Sequence, residues 1–206
     1  MMKRHSFAVA AMLIAGLMVV QTGQAGVLSG NGAALPGWTG TVPYDNGNNL
    51  SGSIDFAVFT AADFNANFGG MGYVPGDAYV YTYQTNNAGS DNFSQLTVGI
   101  TNPANTIGTF NIGDVDTSSS LFDGSGNAEF QFLSPAVATG QSSYGLAFSA
   151  PTLPIQLGGI ISDGGGAIQI ALPSPGTVPE PAAACLLALA GGVAVSTRRS
   201  RVAKQS

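Results

Sequence analysis

Short stretches in which apolar and polar residues alternate recur through most of the chain. Alternation with a period of two sends successive side chains to opposite faces, as in half-buried strands. Clusters of Gly, Asn, Asp, Ser and Pro separate the stretches and are typical of turns. The clearest stretches are 53–58, 78–84, 95–100, 129–132, 144–148, 155–161 and 167–172. With weaker candidates included, the pattern predicts about seven to nine short strands and an all-β fold, an antiparallel β-sandwich.

Three further segments give weaker signals. A short strand is predicted near Trp38 to Val42, and another around Phe110 and Ile112, while Thr60 to Phe68 could form one or two helical turns. Ser- and Thr-rich stretches such as 117–120 are predicted to be solvated loops. The segments 79–100 and 130–148 resemble the strand pairs of immunoglobulin-like modules on bacterial surface proteins, a resemblance that implies a fold class and no ligand.

Both ends of the chain have a different character from the middle. Lys3 and Arg4 precede an apolar run over residues 7–20, and small residues follow up to Ala25. This order is typical of a secretory signal peptide cleaved after Ala25. We therefore expect residues 1–25 to be a signal peptide and residues 26–177 to form one exported domain.

The last part of the chain, residues 178–206, combines a proline motif, an apolar run and a basic end. Val178-Pro179-Glu180-Pro181 cannot lie inside a helix, but Pro181 suits the first turn of one. Residues 181–197 carry no charge and predict a single hydrophobic helix, slightly short for a ~30 Å hydrocarbon core. The basic end, 198–204, places that side in the cytoplasm and the preceding domain outside.

In this order, Val178, Pro179, Glu180 and Pro181, followed by the apolar helix and then Arg198 and Arg199, resemble the PEP-CTERM sorting signal of Gram-negative bacteria. The resemblance implies recognition by an exosortase, a membrane peptidase or transpeptidase that cleaves near the Pro-Glu-Pro. It also implies export through a translocon and membrane anchoring through the helix before processing. The processed protein would then belong to the cell surface or to an extracellular, biofilm or exopolysaccharide matrix.

Charge is divided unequally between the ends and the middle. All six Lys and Arg lie in the end segments, and of the eleven Asp and Glu only Glu180 does, so residues 26–177 carry ten acids and a net charge of −10. Because phosphate neutralisation needs cations, no nucleic-acid partner is expected. The only cysteine, Cys185, lies in the tail, so the domain has no disulfide.

The domain also lacks the usual catalytic side chains. With no His, Cys, Lys or Arg in residues 26–177, nucleophile–histidine pairs, Schiff-base lysine and ordinary zinc sites are excluded. Carboxylate-pair glycoside hydrolysis is the remaining enzyme class, with Glu129 and either Asp123 or Asp55 as the pair. Glu129, however, alternates with core aromatics, and we expect a protein without catalytic activity.

Two groups of residues are candidates for binding. Oxygen ligands at alternate positions could hold calcium, although Asp and Asn in Gly-rich loops also form ordinary turns. Tyr79, Tyr81 and Tyr83 share one face of a strand and could stack on polysaccharide, or could pack into the core with their hydroxyls at the rim. The calcium candidates are Asp114, Asp116, Asp123, Asn127 and Glu129.

The sequence therefore favours a structural, surface-sorted protein. The alternatives are a polysaccharide-binding or adhesion module, with or without calcium, and then a carboxylate glycosidase.

Overall fold

The computed structural model describes residues 26–176. This part of the chain forms ten strands and one helix. The strands are β1 (Thr39–Asp45), β2 (Ser51–Thr60), β3 (Tyr79–Asn87), β4 (Gln95–Gly99), β5 (Asn105–Phe110), β6 (Ser119–Phe122), β7 (Asn127–Gln131), β8 (Gly145–Ala150), β9 (Pro154–Ser162) and β10 (Ala167–Pro175), and the helix is α1 (Ala61–Phe68).

The strands make two five-stranded sheets. The first sheet has the order β1-β2-β3-β8-β5, and the second has the order β10-β9-β4-β7-β6. Every neighbouring pair of strands is antiparallel. The all-β prediction is thereby confirmed.

One hydrophobic core is shared by the two sheets. Ile54, Phe56 and Val58 of β2 are buried in the same cluster as Leu96 of β4 and Phe130 of β7. Alternation along each strand produces this arrangement, because every second residue points its side chain to the same face. The facing surfaces of the sheets are therefore packed against each other.

The opposite, outer face of the first sheet is covered as well over its central strands β2, β3 and β8. Phe59 of β2, Val80 of β3 and Ala147 of β8 point away from the shared core into a second cluster. The cover consists of α1, which contributes Phe64 and Phe68, together with the other members of this second cluster that lie outside the sheet. Consequently all six residues of β8 are buried.

The covering helix begins where its sequence supplies a cap. The Thr60 hydroxyl oxygen accepts a hydrogen bond from the Asp63 backbone N–H at 3.1 Å and donates one to the Asp63 carboxylate at 2.6 Å. These bonds satisfy a free donor of the first turn, which stabilises short helices. The helix that the sequence indicated only as a possibility, over Thr60 to Phe68, is thus present as α1 (Ala61–Phe68).

The outer face of the second sheet has no comparable cover among residues 26–176. In β9 and β10 exposed residues alternate with less exposed ones along much of each strand, and Gln156, Gly158, Ile160, Gln169 and Ala171 are exposed. This face is therefore the broad uncovered surface of the described fold.

Several local predictions need correction. Phe110 ends β5, which begins at Asn105, and Ile112 lies beyond it. Ser119 and Ser120, predicted to lie in a loop, begin β6. A Ser-rich segment gives no alternating apolar signal, so sequence patterning missed this strand.

The two segments that resembled strand pairs are not pairs of hydrogen-bonded neighbours. β3 and β4 lie in different sheets, as do β7 and β8. The loop after β3 crosses between the sheets and is held there by Asn87, whose side-chain amide donates to the Asp91 and Val137 carbonyl oxygens at 2.8 Å each. The connection from β3 to β4 is therefore anchored by buried side-chain hydrogen bonds and is not a hairpin.

No helix within residues 26–176 is long and apolar enough to cross a membrane. The predicted signal peptide and the predicted helix 181–197 lie outside the described residues.

Candidate functional site

The uncovered face of the second sheet carries a continuous row of side chains across all five strands. Register pairs Gln169 with Ile160, Ile160 with Thr97, Thr97 with Glu129 and Glu129 with Leu121. Directly paired residues point to the same face of an antiparallel sheet. The row therefore forms a ridge of mostly uncharged side chains.

Beside this ridge the strands carry almost no side chains. Ala171 pairs with Gly158, and a Cβ added to Gly99 would lie 3.1 Å from the Gly158 carbonyl oxygen. A Cβ added to Gly158 would meet no atom within 4 Å. The missing side chains leave a shallow groove of about 640 Å³.

The groove is lined by amides, hydroxyl and aliphatic groups. Gln156, Gln169 and Asn127 supply amides, Thr97 supplies a hydroxyl, and Ile160 supplies an aliphatic side chain. No charged residue lines it. Such a lining can exchange hydrogen bonds with a neutral hydroxylated ligand and offers no ion pair to a charged one.

Sequence reasoning missed this groove. Its signal was the occurrence of Gly99 and Gly158 within otherwise alternating strands, since glycine inside a strand often marks close approach of another group. The pattern of apolar residues drew attention to the core-facing side instead.

The tyrosine stripe, Tyr79, Tyr81 and Tyr83, lies on the first sheet and faces the shared core. The groove lies on the outer face of the second sheet. Tyr81 and Tyr83 are fully buried and Tyr79 is partly buried. The Tyr81 ring stacks on Phe148 with centroids 5.2 Å apart, and its hydroxyl donates to the Thr152 carbonyl oxygen at 2.7 Å. The faces of Tyr81 and Tyr83 are therefore not available as a stacking platform.

Tyr83 links the two sheets. Its hydroxyl donates to the carbonyl oxygen of Pro173 in β10. Burial raises the pKa of the Tyr83 phenol well above its ordinary value, which keeps it neutral and able to donate.

The first two calcium candidates are engaged in separate local contacts. The Asp114 carboxylate accepts from the Ser142 backbone N–H at 2.8 Å and from its hydroxyl at 3.2 Å. Asp116 accepts from the Thr109 hydroxyl and from the Thr117 backbone N–H, both at 2.8 Å. Each carboxylate thus fixes its own loop.

The other calcium candidates surround the β6–β7 turn. The Asp123 carboxylate accepts from the backbone N–H groups of Ser125 and Asn127 at 2.7 and 3.0 Å, and from the Asn127 side-chain amide at 2.7 Å. These bonds, the side-chain one first, lower the Asp123 pKa. Glu129 lies on the exposed ridge, and no group of three or more acidic, His or Cys side chains suited to a metal occurs within residues 26–176.

The three carboxylates considered for glycoside hydrolysis lie in different elements of the fold. Asp55 is buried in the first sheet and accepts from the Thr41 hydroxyl and the Asn86 side chain. Glu129 is in the second sheet, and Asp123 is held in its turn. None of these three carboxylates lines the groove.

The remaining predicted site residues, Ala25, Val178, Pro179, Glu180, Pro181, Arg198 and Arg199, lie outside the described residues. No protein-family model, curated protein or solved structure matches this chain.

Proposed function

We propose that this chain is an exported protein whose domain, residues 26–177, serves a structural, non-catalytic role at the cell surface or in the extracellular matrix. An exosortase would recognise its Val178-Pro179-Glu180-Pro181 tail. The observation that carries the proposal is the charge division: every cation lies in the two end segments, and the domain between them has none.

The packing of the domain supports a self-contained body between two end segments that serve export and sorting. Its buried hydrophobic residues, from Leu28 to Leu172, form two clusters made by strands, helix and loops inside that range. Processing at both ends would therefore leave these clusters with their packing partners. The finer classification of the two sheets as an immunoglobulin-like sandwich stays a prediction, as does the absence of catalysis.

Intact-mass analysis of the protein from cells and from culture fluid tests the proposal. We expect a product that begins at Gly26 and has lost Arg198 and Arg199. Replacing Pro179, Glu180 and Pro181 by alanine should leave the basic end in place. An unprocessed chain that keeps both ends and stays inside the cell would overturn the proposal.

The groove favours a second candidate function, binding of a neutral polysaccharide. Its lining of amides, a hydroxyl and aliphatic groups suits sugar hydroxyls and sugar C–H faces, and the acidic domain disfavours anionic polymers. A structural protein of a polysaccharide matrix could use such a surface without catalysis.

Binding to an array of neutral polysaccharides, with and without EDTA, tests the second function. Gly158→Phe would fill the groove and should abolish binding. Gly32→Phe is the matched control, because a Cβ at Gly32 also meets no atom within 4 Å and Gly32 does not line the groove. Equal binding by both variants would exclude the groove, and loss with EDTA would revive the calcium alternative.

A further inference from the structure

The first half of β10 is an open sheet edge. β10 ends the second sheet and pairs only with β9 among the described strands. Residues Ala167–Ala171 have no charge and no proline. An edge of this kind presents unpaired backbone groups to another strand.

The prolines of β10 reveal which backbone groups point outward. Residues of an antiparallel strand alternate between bonding to the neighbour and pointing away from it. Pro173 and Pro175 have no N–H to donate to β9, and the Pro173 carbonyl oxygen accepts from the Tyr83 hydroxyl instead. They therefore belong to the outward set.

The same alternation assigns the open half of the strand. Counting back in twos from Pro173 places Ala171, Gln169 and Ala167 in the outward set. The β9–β10 turn agrees, since the Gly166 carbonyl oxygen, in the other set, accepts from the Asp163 N–H at 3.4 Å. Ala167, Gln169 and Ala171 thus each offer a backbone N–H donor and a carbonyl acceptor to another strand.

The sequence of this open half is its own mirror. Residues 167–171 read Ala-Ile-Gln-Ile-Ala in both directions. If two copies pair antiparallel about a twofold axis at Gln169, Gln169 meets Gln169, Ile168 meets Ile170, and Ala167 meets Ala171. Every outward residue then meets an outward residue, as hydrogen-bonded pairs require.

We propose that two copies of this chain associate by antiparallel pairing of Ala167–Ala171 about this axis. The pairing forms about six backbone hydrogen bonds. It joins two five-stranded sheets into one and places no charged residue opposite another, although each domain is acidic. Pro173 ends the ladder, because it has no N–H to continue it.

The other sheet edges lack these features. β1 is interrupted by Pro43 in its middle, and β6 is only four residues long. β5 has a shift of register between Asn105 and Ile107. Prolines, short strands and irregularities are the devices that prevent edge pairing, so the open half of β10 is the edge suited to a second copy.

Disulfide trapping in the full-length chain, purified in mild detergent with Cys185→Ala, tests the geometry. Gln169→Cys would place two Cα atoms about 5.5 Å apart, within the range of about 4.4–6.8 Å that a disulfide spans. Ala171→Cys is the matched control, because its own counterpart would lie four residues, or about 13 Å, away.

We expect covalent dimer from Gln169→Cys, little from Ala171→Cys, and dimer again from the Ala167→Cys/Ala171→Cys double variant. Equal cross-linking of Gln169→Cys and Ala171→Cys would overturn the proposal. This outcome is independent of export and sorting.

A charge exchange at the axis provides the second arm. Gln169 is exposed, so variants with lysine or glutamate at this position should fold like the parent chain, as circular dichroism would verify. Copurification of two differently tagged copies should fall at least about fivefold for Gln169→Lys or Gln169→Glu alone, because like charges face each other. Mixing the Lys and Glu variants should restore it. Failure to restore copurification would overturn pairing of two copies at this axis.

Discussion

The two sheets differ in what lies on their outer faces. On the first sheet, Phe59 and Val80 point outward into a cluster closed by α1. On the second, the positions facing outward are occupied by Gln156, Gly158 and Gln169, and no described element covers them. The central strands of the first sheet form an interior layer, whereas the second sheet presents an uncovered face and the edge strand β10 to the surroundings.

This difference separates stability from interaction. Substitutions under α1 should remove buried contacts and lower stability. Substitutions on the outer face of the second sheet should change binding to other molecules and leave the stability of the fold nearly unaltered. The contrast can be measured one side chain at a time.

The largest effect is expected for Phe64→Ala. The Phe64 ring lies 5.1 Å from the ring of Phe110 and 5.6 Å from that of Tyr73, centroid to centroid. Its truncation should lower the free energy of unfolding by about 3–5 kcal/mol. Ile160→Ala on the second sheet should cost less than about 1 kcal/mol. Urea denaturation measures both, and equal losses would contradict the contrast.

Two adjacent glycines of β9 give the next test. A Cβ at Gly159 would lie 2.8 Å from Leu172 Cδ1, whereas one at Gly158 enters open space. Gly159→Val should therefore destabilise by about 1–3 kcal/mol through overpacking. Gly158→Val should stay within about 0.5 kcal/mol of the parent chain. Thermal unfolding of the two variants compares the inner and outer faces directly, and a larger loss for Gly158→Val would reverse their assignment.

Tyr83→Phe tests the link between the sheets. The variant leaves the buried Pro173 carbonyl oxygen without the Tyr83 donor, which should cost about 1–2 kcal/mol. Tyr81→Phe, whose hydroxyl bonds within a partly buried site, should cost less. Urea denaturation measures both losses. Equal losses would contradict a particular stabilising role for the hydrogen bond between Tyr83 and Pro173.

The smallest effect is expected in acid. The backbone N–H groups of Gly165 and Gly166 lower the pKa of Asp163. A folded-state pKa below the unfolded value contributes stability above the unfolded pKa, near 3.9, and this contribution is lost as the pH falls through the folded pKa. Asp163→Asn keeps an acceptor oxygen and should flatten the acid limb of stability below about pH 4. Urea midpoints between pH 2 and 6 measure it, and an unchanged acid limb would contradict this role.

Alternation predicted most strands because it depends only on neighbouring residues. It located the segments around Val58, Tyr81 and Ile161 but could not choose their partners, since the same apolar face fits several neighbours. The separation of β3 from β4 depends on contacts of Asn87 that are distant in sequence. The groove depends on Gly99 meeting Gly158 across strands, which no local pattern contains.

Radical footprinting most directly tests the claim that the second sheet is the side that meets other molecules. Ile160 on that sheet and Met71 beyond α1 are 41% and 42% exposed, so the two reporters are matched in exposure and each is compared with itself. Oxidation of the protein on cells that produce it is compared with that of the purified full-length chain. We expect protection of Ile160 on the cells and unchanged oxidation of Met71. Protection of Met71 with Ile160 unchanged would contradict it.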